Sequence, residues 1–438
     1  MQKIVFDDPY TFVPPYRGKF WSWAFRFYLP RFLRTNYGIT GWTTHGIEHL
    51  RGSLKAGHGI ILCPNHCRIS DPMLTGVITM ETPCHFYALA SWHVFRQSRL
   101  ETFIARRVGG FSIYREGFDR QALDTSVDIV AEAERPLVIF PEGSISFAND
   151  RLLPLMDGTS FIARAAAKRR ARRHPDSRVV IHPVAFRYRH RSDPNTSLVP
   201  AIERLERMVF WQTLDNLPLI DRLRRLGRAL LCAREIQVLG EARAGGLHSR
   251  IQRLLNDILQ PMEREWLGQT RTGSISARVK DLRAAIVPDM SRGSVDRAER
   301  RRRWRLLTDL YYAQCLSLYP EGYLEDGRCG EASVDRLFET VERLEEDMTD
   351  RFEIRRDVHV DITIGEAIEV DPAQKKDRSG DPLMATLRQR LLDLLGIEDW
   401  WPPEPVTATD DSDDGDSADG ASSDSDSPVG EAVVSDQA

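Results

Sequence analysis

Residues 59–72 read Gly59-Ile60-Ile61-Leu62-Cys63-Pro64-Asn65-His66-Cys67-Arg68-Ile69-Ser70-Asp71-Pro72. The first five form a short apolar run after a Gly-containing break, the pattern of a buried strand. Pro64-Asn65-His66 begins a loop. Asp71-Pro72 reads as an N-cap followed by proline at the first helical position, which predicts a helix to about Met80. Further strand-like runs lie at 85–90, 137–140 and 179–186, with helical patterns at 120–133 and 159–172 between them. Alternating strands and helices predict an α/β domain with a mostly parallel sheet flanked by helices. Functional loops are then expected at the carboxyl ends of the strands.

The same stretch carries candidate chemistry. Of the eleven histidines, only His66 has an acid five positions on, Asp71. On an ideal helix, residues five apart lie about 140° around the axis and do not meet. With Asp71 at a helix start and His66 in the preceding loop, the chain can curl until carboxylate and imidazole touch. The second ring nitrogen is then free to take a proton from an alcohol. The plainer alternative is an N-capping Asp71 beside an incidental loop histidine.

Composition bounds the class. The chain has 438 residues, 42% hydrophobic and 28% charged, which suits a packed soluble body more than an integral membrane bundle. Ten acids and no Lys or Arg lie in residues 410–438; subtracting them from the net charge of −4 leaves +6 for residues 1–409. A mildly basic body suits an anionic substrate or an anionic lipid surface. The six cysteines (Cys63, Cys67, Cys84, Cys232, Cys315, Cys329) make no C-x-x-C pair or zinc spacing, which points to a reducing compartment. The opening MQKIVFDDPY lacks an apolar core, so no secretory signal is expected, and no apolar run approaches the roughly 20 residues of a membrane span.

Residues 16–34 hold eight aromatics and five basic residues with no acid, the composition of an interfacial helix. Pro30 is expected to divide this stretch and keep the preceding helix short. A helix packed across the core, its arginines reaching outward, is the competing reading. Farther on, Ile236-Gln237-Val238-Leu239-Gly240-Glu241-Ala242 reads as a strand and turn, with an amphipathic helix at 249–266. Val360-Asp361-Ile362-Thr363-Ile364-Gly365-Glu366-Ala367 repeats that wording before a helix at about 384–395. Between them, 296–312 and 333–351 read as charged helices, and the basic run 168–173 as the exposed end of a helix, not a nucleic-acid site. The expected organisation is an N-terminal interfacial segment (1–50), a catalytic domain (51–268), a mainly helical C-terminal region (269–402) and a disordered acidic tail (403–438).

Three further blocks accompany Asn65-His66 and Asp71: Gly110-Phe111-Ser112-Ile113-Tyr114-Arg115, Phe140-Pro141-Glu142-Gly143-Ser144, and Ile181-His182-Pro183-Val184. The proline of the last belongs at a strand end or sheet edge. In order and approximate spacing, over about residues 55–190, the four blocks resemble the glycerolipid acyltransferase family of lysophosphatidate and glycerol-3-phosphate acyltransferases. The resemblance implies His66 as general base and Asp71 as its orienting partner. It implies Arg115, Glu142 and Gly143 as acceptor-binding, with Asn65, Arg68 and Ser144 as further acceptor or oxyanion contacts, and Pro183 beside the acyl-binding wall. It implies acyl-CoA or acyl carrier protein as donor, a glycerolipid acceptor, no metal or prosthetic group, and peripheral attachment to the inner face of the cytoplasmic membrane.

The sequence departs from that family where the acceptor would bind. Arg68 stands where many members have Ser, Tyr114 where the residue before the arginine is often acidic, and Met156-Asp157-Gly158 where a basic residue usually lies near a glycine. Another acceptor, such as a lysophospholipid or an amino-acid lipid, therefore stays open, as does a catalytically inactive membrane adaptor.

Overall fold

The apolar run beginning at Gly59 lies in the interior of a sheet, every residue of it buried. The computed structural model describes residues 5, 7–319, 321–324, 333–351, 353–374, 376 and 380–399. Cys329 and the acidic stretch expected as a disordered tail fall outside them. The chain opens with α1 (Phe20–Tyr37), β1 (Ile39–His45), α2 (Ile47–Lys55) and β2 (Gly59–Pro64). There follow α3 (Asp71–Glu81), β3 (Tyr87–Ser91), α4 (Arg99–Arg107), β4 (Gly110–Ile113), α5 (Arg120–Ala131), β5 (Leu137–Val138), α6 (Gly158–Arg173) and β6 (Val179–His190). A helical stretch comes next: α7 (Pro194–Phe210), α8 (Leu219–Leu239), α9 (Leu247–Leu267), α10 (Ile275–Ser291), α11 (Arg297–Leu316) and α12 (Val334–Thr349). The chain then returns to the sheet as β7 (Val358–Ile364) and β8 (Ile368–Glu369) before α13 (Pro382–Leu395).

The strand order is β1-β7-β6-β2-β5-β3-β4, with β8 also paired to β6. Pairing is parallel except where β7 and β8 meet β6, so the sheet is mostly parallel and flanked by helices. Alternation along β2 sorts its side chains between two cores. Ile61 and Cys63 pack with α5, α6 and α13 on one face; Ile60 and Leu62 pack with α1 and α3 on the other. Two further apolar clusters hold the helical stretch, one among α8–α11 and one among α7, α8 and α12.

Three expectations are corrected. The stretch at 236–242 is not a strand: Ile236–Leu239 are the last turn of α8, closed by Gly240 at φ +87°. The buried positions Leu223, Leu226, Leu231 and Glu235 follow helical spacing, and Glu235 pairs with Arg250 of α9 at 2.6 Å. That packing overrides the strand preference of Ile236 and Val238, which lie exposed at the helix end. Pro30 does not divide the N-terminal segment, because α1 runs through it. An internal proline costs about 3 kcal/mol, but burial of Leu29 and Leu33 offsets it at roughly 1.5–3 kcal/mol each. Pro183 is not at an edge, since β6 lies between β7 and β2. Its carbonyl accepts from Gly365 N–H at 2.8 Å, so its missing donor faces the gap where β7 ends and β8 has yet to begin.

Candidate active site

Parallel pairing puts the carboxyl ends of β2, β5, β3 and β4 along one edge of the sheet. The chain leaves β2 at Pro64 and reaches α3 at Asp71 through six residues that carry His66. Ser70, not Asp71, occupies the N-cap position, and its side chain caps nothing. This corrects the expected cap and frees the Asp71 carboxylate to turn back on the loop.

The turn-back is complete. Asp71 Oδ2 accepts from His66 Nδ1 at 2.8 Å and from Arg68 N–H at 2.8 Å. Asp71 Oδ1 accepts from the Tyr188 hydroxyl at 2.6 Å, and Tyr188 oxygen lies 2.7 Å from Ser70 Oγ. With Tyr188 donating to the carboxylate, Ser70 is the donor of that second bond. Asp71 is wholly buried, and three donors meet the need of a carboxylate removed from water. Burial and the neighbouring Asp71 push the Tyr188 hydroxyl well above its ordinary range, so it stays protonated and able to donate.

His66 itself keeps 14% of its side chain exposed. With Nδ1 donating to Asp71, Nε2 carries the free lone pair and makes no hydrogen bond among the described residues. Phe140 lies against the ring at a centroid distance of 4.3 Å. His182 makes the contrast: its Nδ1 meets Gly365 O and its Nε2 meets Ser53 Oγ, both at 2.9 Å, and it is fully buried. His182 is a satisfied core residue; His66 has a nitrogen left for chemistry.

The loop after β5 grips the His66 backbone from both sides. Glu142 Oε1 accepts from His66 N–H at 2.6 Å, and Ser146 N–H donates to His66 O at 2.7 Å. The other Glu142 oxygen accepts from Leu153 N–H at 2.7 Å, so both are engaged within the fold. Burial lifts the Glu142 carboxyl to about 8, against the two backbone donors that favour its charged form. Gly143 sits at φ +67°, its N–H donates to Phe140 O, and a Cβ there would collide with Met156 Sδ. The glycine is required by this turn and by Met156. Ser144 Oγ is buried and has no hydrogen-bond partner among the described residues.

The remaining expected residues divide. Asn65 is buried, its amide bonded to both the N–H (2.7 Å) and the carbonyl (3.1 Å) of Phe186 on β6. It holds the loop to the sheet like one more strand residue. Arg68 pairs with Glu342 of α12 at 2.5 Å and lies over the Tyr188 ring. Burial opposes the charge on Glu342, yet Arg68 holds its carboxyl down at about 2. Arg115 is exposed just beyond β4, three strand spacings or about 14 Å from β2. No hydrogen bond or ion pair joins it to the His66 cluster among the described residues. Pro183 pairs in register with Cys63, three residues before His66.

Tyr188, Ser70 and Glu342 were not foreseen. Tyr188 lies 117 residues from the carboxylate it serves, and no local pattern announces such a partner. Among the described residues no group of three or more His, Cys, Asp or Glu side chains is placed to hold a metal ion, and no helix is long and apolar enough to cross a membrane.

Residues 42–187 match the model of the family described as Acyltransferase. No curated protein matches the chain. The matched span runs from β1 almost to the end of β6 and includes His66, Asp71, Arg115, Glu142 and Pro183; Tyr188 and Glu342 lie outside it. Over residues 42–187, about a third of its length, the chain is therefore similar to the acyltransferase family.

Proposed function

We propose that the protein moves a fatty acyl group from acyl-CoA or acyl carrier protein to a hydroxyl of a glycerol-phosphate-type lipid precursor such as 1-acylglycerol-3-phosphate. The observation that carries this reading is the His66–Asp71 bond of 2.8 Å, which leaves Nε2 unengaged inside the span similar to the acyltransferase family. The acceptor hydroxyl gives its proton to Nε2 as its oxygen attacks the thioester carbon. Asp71 stabilises the imidazolium that forms. The new C–O bond closes, the C–S bond breaks, and the leaving thiolate takes the proton back from Nε2. Atoms and charges balance with no acyl-enzyme, metal or prosthetic group. Glu142 and Ser146 keep the imidazole aimed, and Ser144 Oγ is a donor for the oxyanion that develops on the carbonyl. Arg115, just beyond β4 on the same edge of the sheet, is the residue assigned to the acceptor phosphate, where a guanidinium suits the charge.

The outward face of α1 supports docking on a membrane at the inner leaflet. Phe20, Trp21, Trp23, Phe27 and Tyr28 are exposed on it, with Arg31 and Arg34 on the same helix. Aromatic rings at headgroup depth with basic residues beside anionic lipid fit this arrangement.

The test is transfer of label from radiolabelled acyl-CoA and acyl carrier protein to a panel of acceptors by the purified full chain. Labelled phosphatidate from wild type, and at least about a hundredfold less from His66→Ala, is the expected result. Equal rates in the two proteins would overturn the base assignment, and product only on another lysophospholipid would overturn the acceptor.

A further inference from the structure

We infer that the helical region α8–α12, which lies beyond the matched domain, holds the hydrocarbon tail of a lipid substrate in a cavity of about 780 Å³. This rests on the acyl-transfer reading above and extends it to the part of the chain that reading leaves without a task. The cavity lies among α8, α9, α11 and α12 and the segment 318–324. Its volume falls within the roughly 300–1,000 Å³ typical of sites that enclose an organic ligand.

The wall chooses the ligand chemistry. Leu230, Leu231, Ile251, Leu316, Tyr319 and Leu344 supply apolar surface from α8, α9, α11, α12 and the segment 318–324. The charged side chains at the lining are engaged within the protein. Arg234 pairs with Asp309 at 2.5 Å, Arg343 with Asp347 at 3.1 Å, His248 with Glu321 at 3.3 Å, and Glu339 accepts from Asn149 N–H at 3.0 Å. A phosphate or a coenzyme head would have to break those pairs, whereas an alkyl chain needs only the apolar wall.

The place of the cavity ties it to the chemistry. Phe147 and Ala148 line it, and they directly follow Ser146, whose N–H holds the His66 carbonyl. Phe147 also lines a second, narrower cavity with Arg68, Ser70 and Tyr188, the residues around Asp71. One side chain therefore borders both spaces. Phe147 sits at φ +56°, a strained position for a non-glycine residue, and the Arg343 guanidinium lies over its ring at 4.3 Å. A tail that enters the large cavity leaves its carboxyl end on the His66 side of Phe147.

Gly227 of α8 lines the cavity, and a Cβ there would meet nothing within 4 Å, so the site can be filled without disturbing its backbone. The experiment measures binding of cis-parinaric acid by fluorescence to the full-length wild type, His66→Ala, Gly227→Ala, Gly227→Met and Gly227→Trp. Wild type, His66→Ala and Gly227→Ala should bind alike. Gly227→Trp should bind about tenfold or more weakly, and Gly227→Met in between, as expected when apolar space is removed from a pocket. If Gly227→Trp fails to fold, Gly227→Met carries the comparison. Equal affinity in wild type and the filled variants would overturn the inference. Transfer assays with donors from octanoyl to stearoyl, and separately with acceptors of varied chain, assign the tail. A Gly227→Trp optimum moved to shorter donors makes it the donor's; one moved to shorter acceptors makes it the acceptor's. Parinarate binding that responds to Gly227 in a protein with no transfer activity would sustain the cavity and refute the acyl-transfer reading alone.

Discussion

The backbone N–H of His66 donates to Glu142 Oε1 at 2.6 Å, so the carboxylate of the Pro-Glu-Gly turn anchors the loop that carries the imidazole. Two chain segments 76 residues apart thus share one bond at the centre of the site. Under the proposed mechanism Glu142 acts through the position of His66; its second oxygen fastens Leu153.

Replacing Glu142 by Gln leaves one acceptor where two backbone donors converge. The expected cost is about 1–3 kcal/mol in urea unfolding, with a fall in kcat larger than any change in KM. The sign of its pH dependence is set by a folded-state value near 8, raised by burial above the ordinary 4.5. A raised carboxyl favours the folded state most below about pH 4.5, and that contribution is lost as pH rises through 8. The Tm difference between wild type and Glu142→Gln should therefore shrink from about pH 5 to pH 9. A constant difference would show that Glu142 does not titrate in this window.

His66→Ala should lower transfer by at least about 10²–10⁴-fold, the usual contribution of a positioned general base. The ring is partly exposed and lies outside the two sheet cores, so Tm should change little. Full activity in a folded His66→Ala protein would remove the base from the scheme.

Tyr188→Phe deletes a single oxygen that donates to Asp71 and lies against Ser70. The predicted destabilisation is about 1–3 kcal/mol, because Asp71 Oδ1 is left buried with no donor. Its kcat should fall with KM nearly unchanged, since Asp71 orients the His66 ring through the 2.8 Å bond to Nδ1. Loss of stability with an unchanged kcat would make Tyr188 a packing residue only.

Arg68→Ala removes the nearest partner of buried Glu342 and leaves only His190 and Arg355, each at 3.8 Å, so it should cost up to about 3–5 kcal/mol. Arg68→Ala with Glu342→Ala should cost less than the sum of the two. Glu342 is held near 2 in the fold, so its favourable contribution is present above about pH 4.5 and lost as pH falls through 2. The Arg68→Ala protein should unfold at a higher pH during acid titration. Strict additivity in the double-mutant cycle would show that the pair is not coupled.

Changing Phe20, Trp23 and Phe27 together to Ser should weaken flotation with anionic liposomes by at least about tenfold, since each ring contributes roughly 1.5–3 kcal/mol when fully buried. All three are exposed, so the fold should be unaffected. Undiminished flotation would assign membrane contact to another surface.

Much of this protein is determined within short stretches of its sequence. The apolar run at Gly59, the helix beginning beside Pro72 and the Pro-Glu-Gly turn form locally, from strand burial, a fixed proline φ and a left-handed glycine. The spacing of His66 and Asp71 across a helix start already allowed their contact. Tertiary structure decided what those residues meet. Ile236–Leu239 joined a helix because Leu231 and Glu235 were claimed by packing and by Arg250. Val358–Ile364 is legible as a strand, but its place between β1 and β6 depends on hydrogen bonds to segments far away in the chain. Tyr188, Glu142 and Glu342 came to the site for the same reason. A buried polar group must find a partner, and the partner it finds is set by which strands and helices lie beside it, not by the residues next to it in sequence.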